Sequence, residues 1–551
     1  MSTATYVLEV DFDDTWVIGD SAAFSHAQAN ITNDLVALHS RRGLAPAASL
    51  FGQLQSGQLT VELNNDVGKY SPNNSGSVLA GLINPGHWVR LRTTAVDGGA
   101  YARTLWGGRL LNIKAAGTAK GNTSFATLTA IGELGWFGKR VIQEMLATNG
   151  AGGDVFTETL KAITGRTTFP NHTIDGGLTT FTAFSAEGRQ AYAALYSICL
   201  AEAGFLYEDT EGKMGFKQRH ARLQDAGSIA SQATLSDAVG AALSYGSIKQ
   251  IDSSDVGMIY NETAAAYQRL TVGAIAVLWT LSESGANSPA IRVGESRTFY
   301  AQYPNPASAT NAVKVSAWET SVATTDYTAN AAADGSGANH TADVGVVVVK
   351  SAGFLKITLT NNAAVVVYIT LLQARGAPFT ADDPVRFVSE DAASQTAYGE
   401  RRFPIEPSLS PWASGLGEAQ EWCLWQLATY KDQFQMFDCE VLGNRSEGTL
   451  QTVCNLDLDD RVTVVANGQS QLGVSSLDCF VEAIEHKIDR KKMHQTRYVL
   501  SETTPTGGWW TWGYAKWGTT TRWAWGYSQW GTAIMWEWGY SQWGTTTRWG
   551  I

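Results

Sequence analysis

At 551 residues the chain is too long for one hydrophobic core, and its length corresponds to about three to four domains. Charged residues make up 17% of it, and Gly, Thr, Ser, Ala and Asn fill the difference, a composition of short strands and turns with few long charged helices. A net charge of −11 argues against a nucleic-acid-binding surface and suits a self-repelling component of a larger soluble particle.

Residues 1–145 read as β-structure. The opening MSTATYVLEVDFDD has no basic stretch followed by an apolar one, so no secretory leader is expected. Tyr6 to Phe12 alternates apolar and polar residues, as a half-buried strand does. Leu59 to Leu63 alternates and runs into the turn cluster Asn64-Asn65-Asp66-Val67-Gly68. Trp88 to Thr93, Thr104 to Ile113 and Ser124 to Ile131 continue the pattern, and this spacing predicts a small barrel or sandwich.

Residues 146–250 change character. Asp154 to Thr164 reads as a helix with an acidic start. Gly188 to Gly204 carries Ala191, Ala194, Leu195, Ile198 and Cys199 at helical spacing, and a hairpin over Phe205 to Lys217 follows. This is a small α+β unit. Residues 251–395 return to strands at Ile275 to Leu281, Arg297 to Tyr303, Gly345 to Asn361 and Ala364 to Arg375, the pattern of an inserted β-sandwich. Thr325 to Ala342, rich in Ala, Asn, Gly, Asp and Ser, is expected to be a long exposed loop. Residues 396–505 hold a helix over Glu418 to Asp432 and then strands from 437 to 501, ending in two strands joined by Asp489-Arg490-Lys491-Lys492. The longest apolar stretch, Ala363 to Leu372, is half a membrane span, so no integral membrane segment is expected.

The last segment, 506–551, repeats with a period of 13 residues: Trp512, Trp517 and Trp523, then Trp525, Trp530 and Trp536, then Trp538, Trp543 and Trp549. With Trp509 and Trp510 it holds 11 of the chain's 20 Trp. Trp joins a large apolar area to a polar N–H and concentrates at interfaces. Within WGTTTRW, Trp517, Thr519, Thr521 and Trp523 share one face of an extended strand. So short a segment cannot bury these rings alone, so they are expected to pair with copies of themselves or with another chain. These nine Trp are the candidate partner-binding residues, for docking or trimerisation.

No residue set for chemistry stands out. Cys199, Cys423, Cys439, Cys454 and Cys479 are scattered, without zinc spacing, and read as buried free thiols. The clusters Asp11/Asp13/Asp14 and Asp457/Asp459/Asp460 alternate with apolar residues, as on the wet face of a strand, and Asp382/Asp383 is a third acidic pair. His486 and His494 flank the Asp489–Lys492 turn and are expected to face each other as a satisfied cross-strand pair. There is no nucleophile elbow and no phosphate-binding loop. No catalytic residue, metal or cofactor is expected.

Several segments in order resemble the tail-hub (tail-tip, minor tail) proteins of long-tailed bacteriophages. They are Leu59-Thr-Val-Glu-Leu-Asn-Asn-Asp-Val-Gly-Lys-Tyr-Ser-Pro, Leu82-Ile-Asn-Pro-Gly-His-Trp, Leu105-Trp-Gly-Gly-Arg-Leu, the helix and hairpin over Ala201 to Arg219, Tyr260-Asn261, Tyr398-Gly-Glu-Arg-Arg and Leu456-Asp-Leu-Asp-Asp-Arg-Val-Thr-Val. The match covers most of residues 1–503; Val67 departs from it, and the Trp repeat has no counterpart. The resemblance implies two tube-like β-barrel hub domains, 1–145 and 396–505, decorated by the α+β domain 146–250 and the sandwich 251–395. It implies a homotrimer in the virion, made in the host bacterial cytoplasm, that presents six barrels to the tail tube. The partners it implies are the tail tube and distal tail proteins, the tape-measure protein, and fibre or spike proteins. Two other readings stay open: a carbohydrate- or cell-wall-binding adhesin that uses the Trp repeat as a ligand ladder, and a tail-tip cell-wall hydrolase.

Overall fold

The protein is described by a computed structural model over residues 2–16, 24–43, 55–117, 124–143, 145–238, 241, 243–251, 259–303, 312–351, 353–403, 408–409, 416–432, 435–466 and 476–503. It is mainly β. Six strands make the first unit: β1 (Ala4–Val10), β2 (Leu35–Gly43), β3 (Gln55–Asn64), β4 (Trp88–Val96), β5 (Gly99–Gly117) and β6 (Ser124–Ile131). Their order is β1-β4-β5-β6-β3-β2, each pair antiparallel. Every second side chain turns inward, so Leu8, Val10, Leu59, Val61, Leu63, Leu91, Leu110 and Leu128 share one core. Each such side chain contributes about 1.5–3 kcal/mol by burial. The free edge of β1 is held by the approach to β2: Ile31 N donates to Leu8 O, Val10 N to Ala29 O, and Leu8 N to Thr32 Oγ1.

The α+β unit follows. Helices α1 (Gly152–Thr164) and α2 (Ala191–Glu202) precede the hairpin β7 (Phe205–Glu208) and β8 (Met214–Lys217). Val155, Phe156, Leu160 and Ile163 of α1 and Ala194, Leu195, Ile198 and Cys199 of α2 pack into one core with Phe181, Phe216 and Trp422. Gly165 ends α1 in the left-handed region at φ 74°, where glycine alone is free of steric cost.

The second unit is a closed barrel built from both sides of an insertion. Strands β9 (Ser231–Ser236) and β10 (Leu243–Ile251) come before it. After it come α3 (Leu416–Tyr430), β11 (Met436–Leu442), α4 (Glu447–Asn455), β12 (Arg461–Val465), β13 (Ser476–Asp489) and β14 (His494–Glu502). The order β13-β12-β9-β10-β11-β14 closes because β14 pairs with β13 again. Closure leaves this sheet no free edge. Leu235, Phe437, Cys439, Val462, Val464, Cys479, Val481, Tyr498 and Leu500 fill it. The two units fuse where β2 pairs antiparallel with β13, Ala37 to Gly43 opposite Asp489 to Ala483, giving one sheet of twelve strands.

Within the insertion, Ser296–Gln302, Phe354–Asn361 and Val344–Lys350 form a three-stranded sheet. It shares a core with the strands arrayed on the long Val367–Ala381, through Phe299, Trp318, Ile357, Leu359, Ile369 and Leu372. This is the sandwich that the strand pattern predicts. The five cysteines are buried and free.

Three expectations are corrected. Thr325 to Ala342 is not one exposed loop: Tyr327–Asn330 is a strand on Val367–Ala381, with Tyr327 and Ala329 turned into the core. Asn330 Nδ2 then donates to Gly335 O and Gly337 O and folds the polar remainder back. Residues 437–501 are not all strand, because Ser446 accepts from Thr449 N and caps helix α4. The acidic runs VDFDD and LDLDD do not lie on strand faces. Both are turns, in which Asp14 and Asp459 adopt φ 52° and 69°.

Candidate functional site

The Trp residues singled out as partner-binding, Trp512 to Trp549, lie outside the described residues. Asp382 and Asp383 are exposed just beyond Val367–Ala381. Two of the other polar candidate sets, the His486/His494 pair and the Asp457/Asp459/Asp460 run, lie at the junction of the units, where β2, β7, β13 and β14 meet the LDLDD turn.

The histidine pair lies there. His494 Nε2 is 2.9 Å from His486 Nδ1, and His494 Nδ1 is 2.9 Å from Tyr6 Oη of β1. His494 N donates to Asn444 Oδ1, and Asn444 Nδ2 donates to Ser2 O, so the N-terminal strand is tied to the second barrel. Burial pushes His494 down to about 4 and holds His486 well below its usual range. Both imidazoles are therefore neutral, and Tyr6–His494–His486 forms a continuous polar chain.

Beside it the LDLDD turn meets three cations. Arg42 of β2, 4% exposed, donates to Asp457 Oδ1 at 2.8 Å. Arg222 donates to Asp459 Oδ1 at 2.7 Å and to Glu482 at 2.9 Å, and its guanidinium lies between the rings of Phe205 and Phe480, 4.6 Å from each. Lys217 pairs with Asp459 at 3.3 Å. Burial pushes the Asp459 carboxyl up; Arg222 and Lys217 outweigh this and hold it below the usual carboxylate range.

Glu208 at the end of β7 plugs into the first six-stranded unit. It accepts from Gly57 N, from Leu134 N at 2.6 Å and from Ser56 Oγ at 3.1 Å. A Cβ on Gly132 would overlap both of its oxygens, so glycine there is what admits the carboxyl. Burial drives it up to about 8, and the backbone donors oppose that rise. A raised carboxyl is the property of a general acid. Glu208, however, is 2% exposed and spends its oxygens on internal donors. The arrangement fixes the α+β unit, the first sheet and the second barrel against one another.

A separate cluster lies where β1 ends. Trp16 stands edge-on to Phe24 and Trp88, with centroids at 5.6 and 5.2 Å, and the Arg90 guanidinium is 4.7 Å from the Phe24 ring. Arg90 in turn pairs with Glu9 at 3.0 Å. Beneath it, Asp11 is driven up to about 6 by burial and by the neighbouring Asp13. Among the described residues no three His, Cys, Asp or Glu side chains form a metal cage, and no helix is long and apolar enough to cross a membrane.

Sequence reasoning missed Tyr6, Asn444, Glu208 and Arg222. Their partners lie 488, 50, 151 and 237 residues away, and no local pattern carries such pairings.

No protein-family model and no curated protein matches the chain. Solved structures similar to it include the tail protein from Neisseria meningitidis MC58, at 10% identity and a TM-score of 0.42, over 90% of this chain and 97% of that one. A 43 kDa tail protein of prophage MuSo2 from Shewanella oneidensis is similar at 11% identity and a TM-score of 0.43, over 92% and 99%. A prophage tail protein from Listeria monocytogenes EGD-e follows at 8% identity and a TM-score of 0.38, over 91% and 95%. Likeness at this level does not place the chain in a family.

Proposed function

We propose that this chain is a structural component of a bacteriophage tail, the hub at its distal end. In this reading it caps the tail tube, receives the end of the tape-measure protein and anchors fibre or spike proteins during host attachment and DNA delivery. One observation carries the reading: two six-stranded units fused edge to edge at β2 and β13 into a single sheet. That is the layout by which three copies present six barrels to a sixfold tube, the arrangement implied by the ordered motifs from Leu59 to Val464. Threefold closure gives a ring and not a filament. The junction charges act as fasteners and not as catalysts, so the protein turns over no substrate. The Trp repeat, beyond the core, docks a neighbour in the tip.

The test is the solution mass of the full chain beside a version stopped at Thr506, by light scattering after gel filtration. A trimer is expected from the truncated version, and from the full chain a trimer together with larger species that grow with concentration. Monomers from both at all accessible concentrations overturn a core that closes on itself.

A further inference from the structure

The inserted sandwich joins the rest of the chain through a narrow neck. The chain enters it past Glu262–Tyr267 and returns through Val385–Glu390, an antiparallel pair whose Ala265 and Phe387 pack with the core of the α+β unit. Between this pair and the sandwich, Gln268 Nε2 donates to Asp382 O and Asp382 N to Arg269 O, both at 3.0 Å. Arg269, Asp382, Asp383 and Pro384 are exposed around these two bonds. The sandwich has a core of its own, drawn among the described residues from 278–374 alone. Among the described residues, one hydrogen bond ties the sandwich to the rest of the chain away from the neck: Ser351 Oγ donates to Glu187 Oε2 at 2.7 Å.

Both ends of that bond are firmly set. Ser351 is wholly buried, and its carbonyl accepts from Trp318 Nε1 at 2.7 Å. Glu187 lies in the turn before α2, where Gly188 N donates to Ile142 O and Arg189 N to Ala186 O. Gly353 leaves the room: a Cβ there would lie 2.9 Å from Glu187 Oε2 and 3.2 Å from Lys314 Nζ. A charged acceptor makes this one of the stronger kinds of hydrogen bond.

We propose that the sandwich is a clasped arm. It swings as one body about the neck at residues 268–269 and 381–384, and Glu187 with Ser351 is the catch that holds it to the α+β unit. A closed core moves as a unit, and a few exposed connecting residues suffice as a hinge. A partner that seats on the sandwich has this one catch to release before the arm swings out.

The experiment measures the distance between two nitroxides on the full chain, one at Val347→Cys on the sandwich and one at Val67→Cys on the first unit, both exposed positions. The five native cysteines are buried, and dilution with unlabelled chain leaves only distances within one chain. A single narrow distance is expected in the parent. Ser351→Ala and Glu187→Ala should each raise a second, displaced population about tenfold, the order of one lost hydrogen bond to a charged group. Ser336→Ala, whose exposed hydroxyl bonds Asp334 in its own turn, should change nothing. Hydrogen exchange at Phe354–Asn361 should stay slow in every variant, since the arm moves without unfolding. A distance unchanged by both catch variants, a parent already spread over two distances, or fast exchange at Phe354–Asn361 in the catch variants each overturns the clasped arm.

Discussion

Tyr6 Oη and His494 Nδ1 stand 2.9 Å apart across 488 residues of sequence, and this bond joins the first strand of one unit to the last strand of the other. Tyr6→Phe keeps the ring and removes the donor. The buried His494 nitrogen is then unsatisfied, which costs about 1–3 kcal/mol. Urea unfolding at pH 7 should show that loss, and an unchanged midpoint would sink the claim that the bond fastens the junction.

The same pair makes stability depend on pH. Burial depresses both histidines, His494 to about 4, so they bind protons more readily in the unfolded chain. Their contribution is full above the usual 6.5 and is lost as pH falls toward 4. Unfolding free energy should drop between pH 7 and 4, with a shallower slope in His494→Gln. An equal slope in that variant would assign the pH dependence to other groups.

The strands of the first unit were legible because each buries alternate residues: predicted Leu59 to Leu63, Trp88 to Thr93 and Ser124 to Ile131 fall inside β3, β4 and β6. β2 was not. Ser40 and Arg42 turn inward there, so the apolar alternation fails where the units fuse. The partner of Arg42 is Asp457, 415 residues on. The LDLDD run looked like a strand face because its period is two. Its carboxylates instead meet Arg42, Arg222 and Lys217, cations that only the tertiary fold brings near. The break at the insertion hid the second barrel as well, since β9 and β10 precede residues 259–403 and their partners β12 and β11 follow them. The helix α4 was within reach, because Ser446 is a capping residue.

Arg222 holds two carboxylates at the junction, Asp459 and Glu482. Arg222→Met fills similar volume but strands Asp459 and Glu482 without their cation. Breaking a buried pair in this way costs about 3–5 kcal/mol. The α+β unit should loosen first, seen as faster proteolysis between residues 146 and 230 with the second barrel still protected. Protection unchanged at both places would show that the ion pair is dispensable.

Glu208 pulls stability against pH in the opposite direction from the histidines. Its value of about 8 lies above the usual 4.5, so the folded state holds a proton that the unfolded chain has lost between these values. This carboxyl therefore lowers stability as pH rises through that window. Glu208→Gln should flatten the fall from pH 5.5 to 8.5. Gly132→Ala, whose methyl collides with the carboxyl, should instead destabilise at every pH by about 1–3 kcal/mol. Equal pH slopes in Glu208→Gln and the parent would mean that the backbone donors keep the group ionised throughout.

The Trp repeat is expected to set the behaviour of the free protein. Eleven Trp lie between Trp509 and Trp549, three of them at Trp517, Trp530 and Trp543 in equivalent positions of the period. Apolar area of this kind, left without a partner, drives self-association. Light scattering of the full chain should show species larger than a trimer that grow with concentration. Replacing Trp517, Trp530 and Trp543 with Ala should suppress them while the trimer remains, as the proposed hub core, closing without the repeat, requires. If the triple variant lost the trimer as well, the repeat would be the oligomerising stalk and the fused sheet alone would not make the ring.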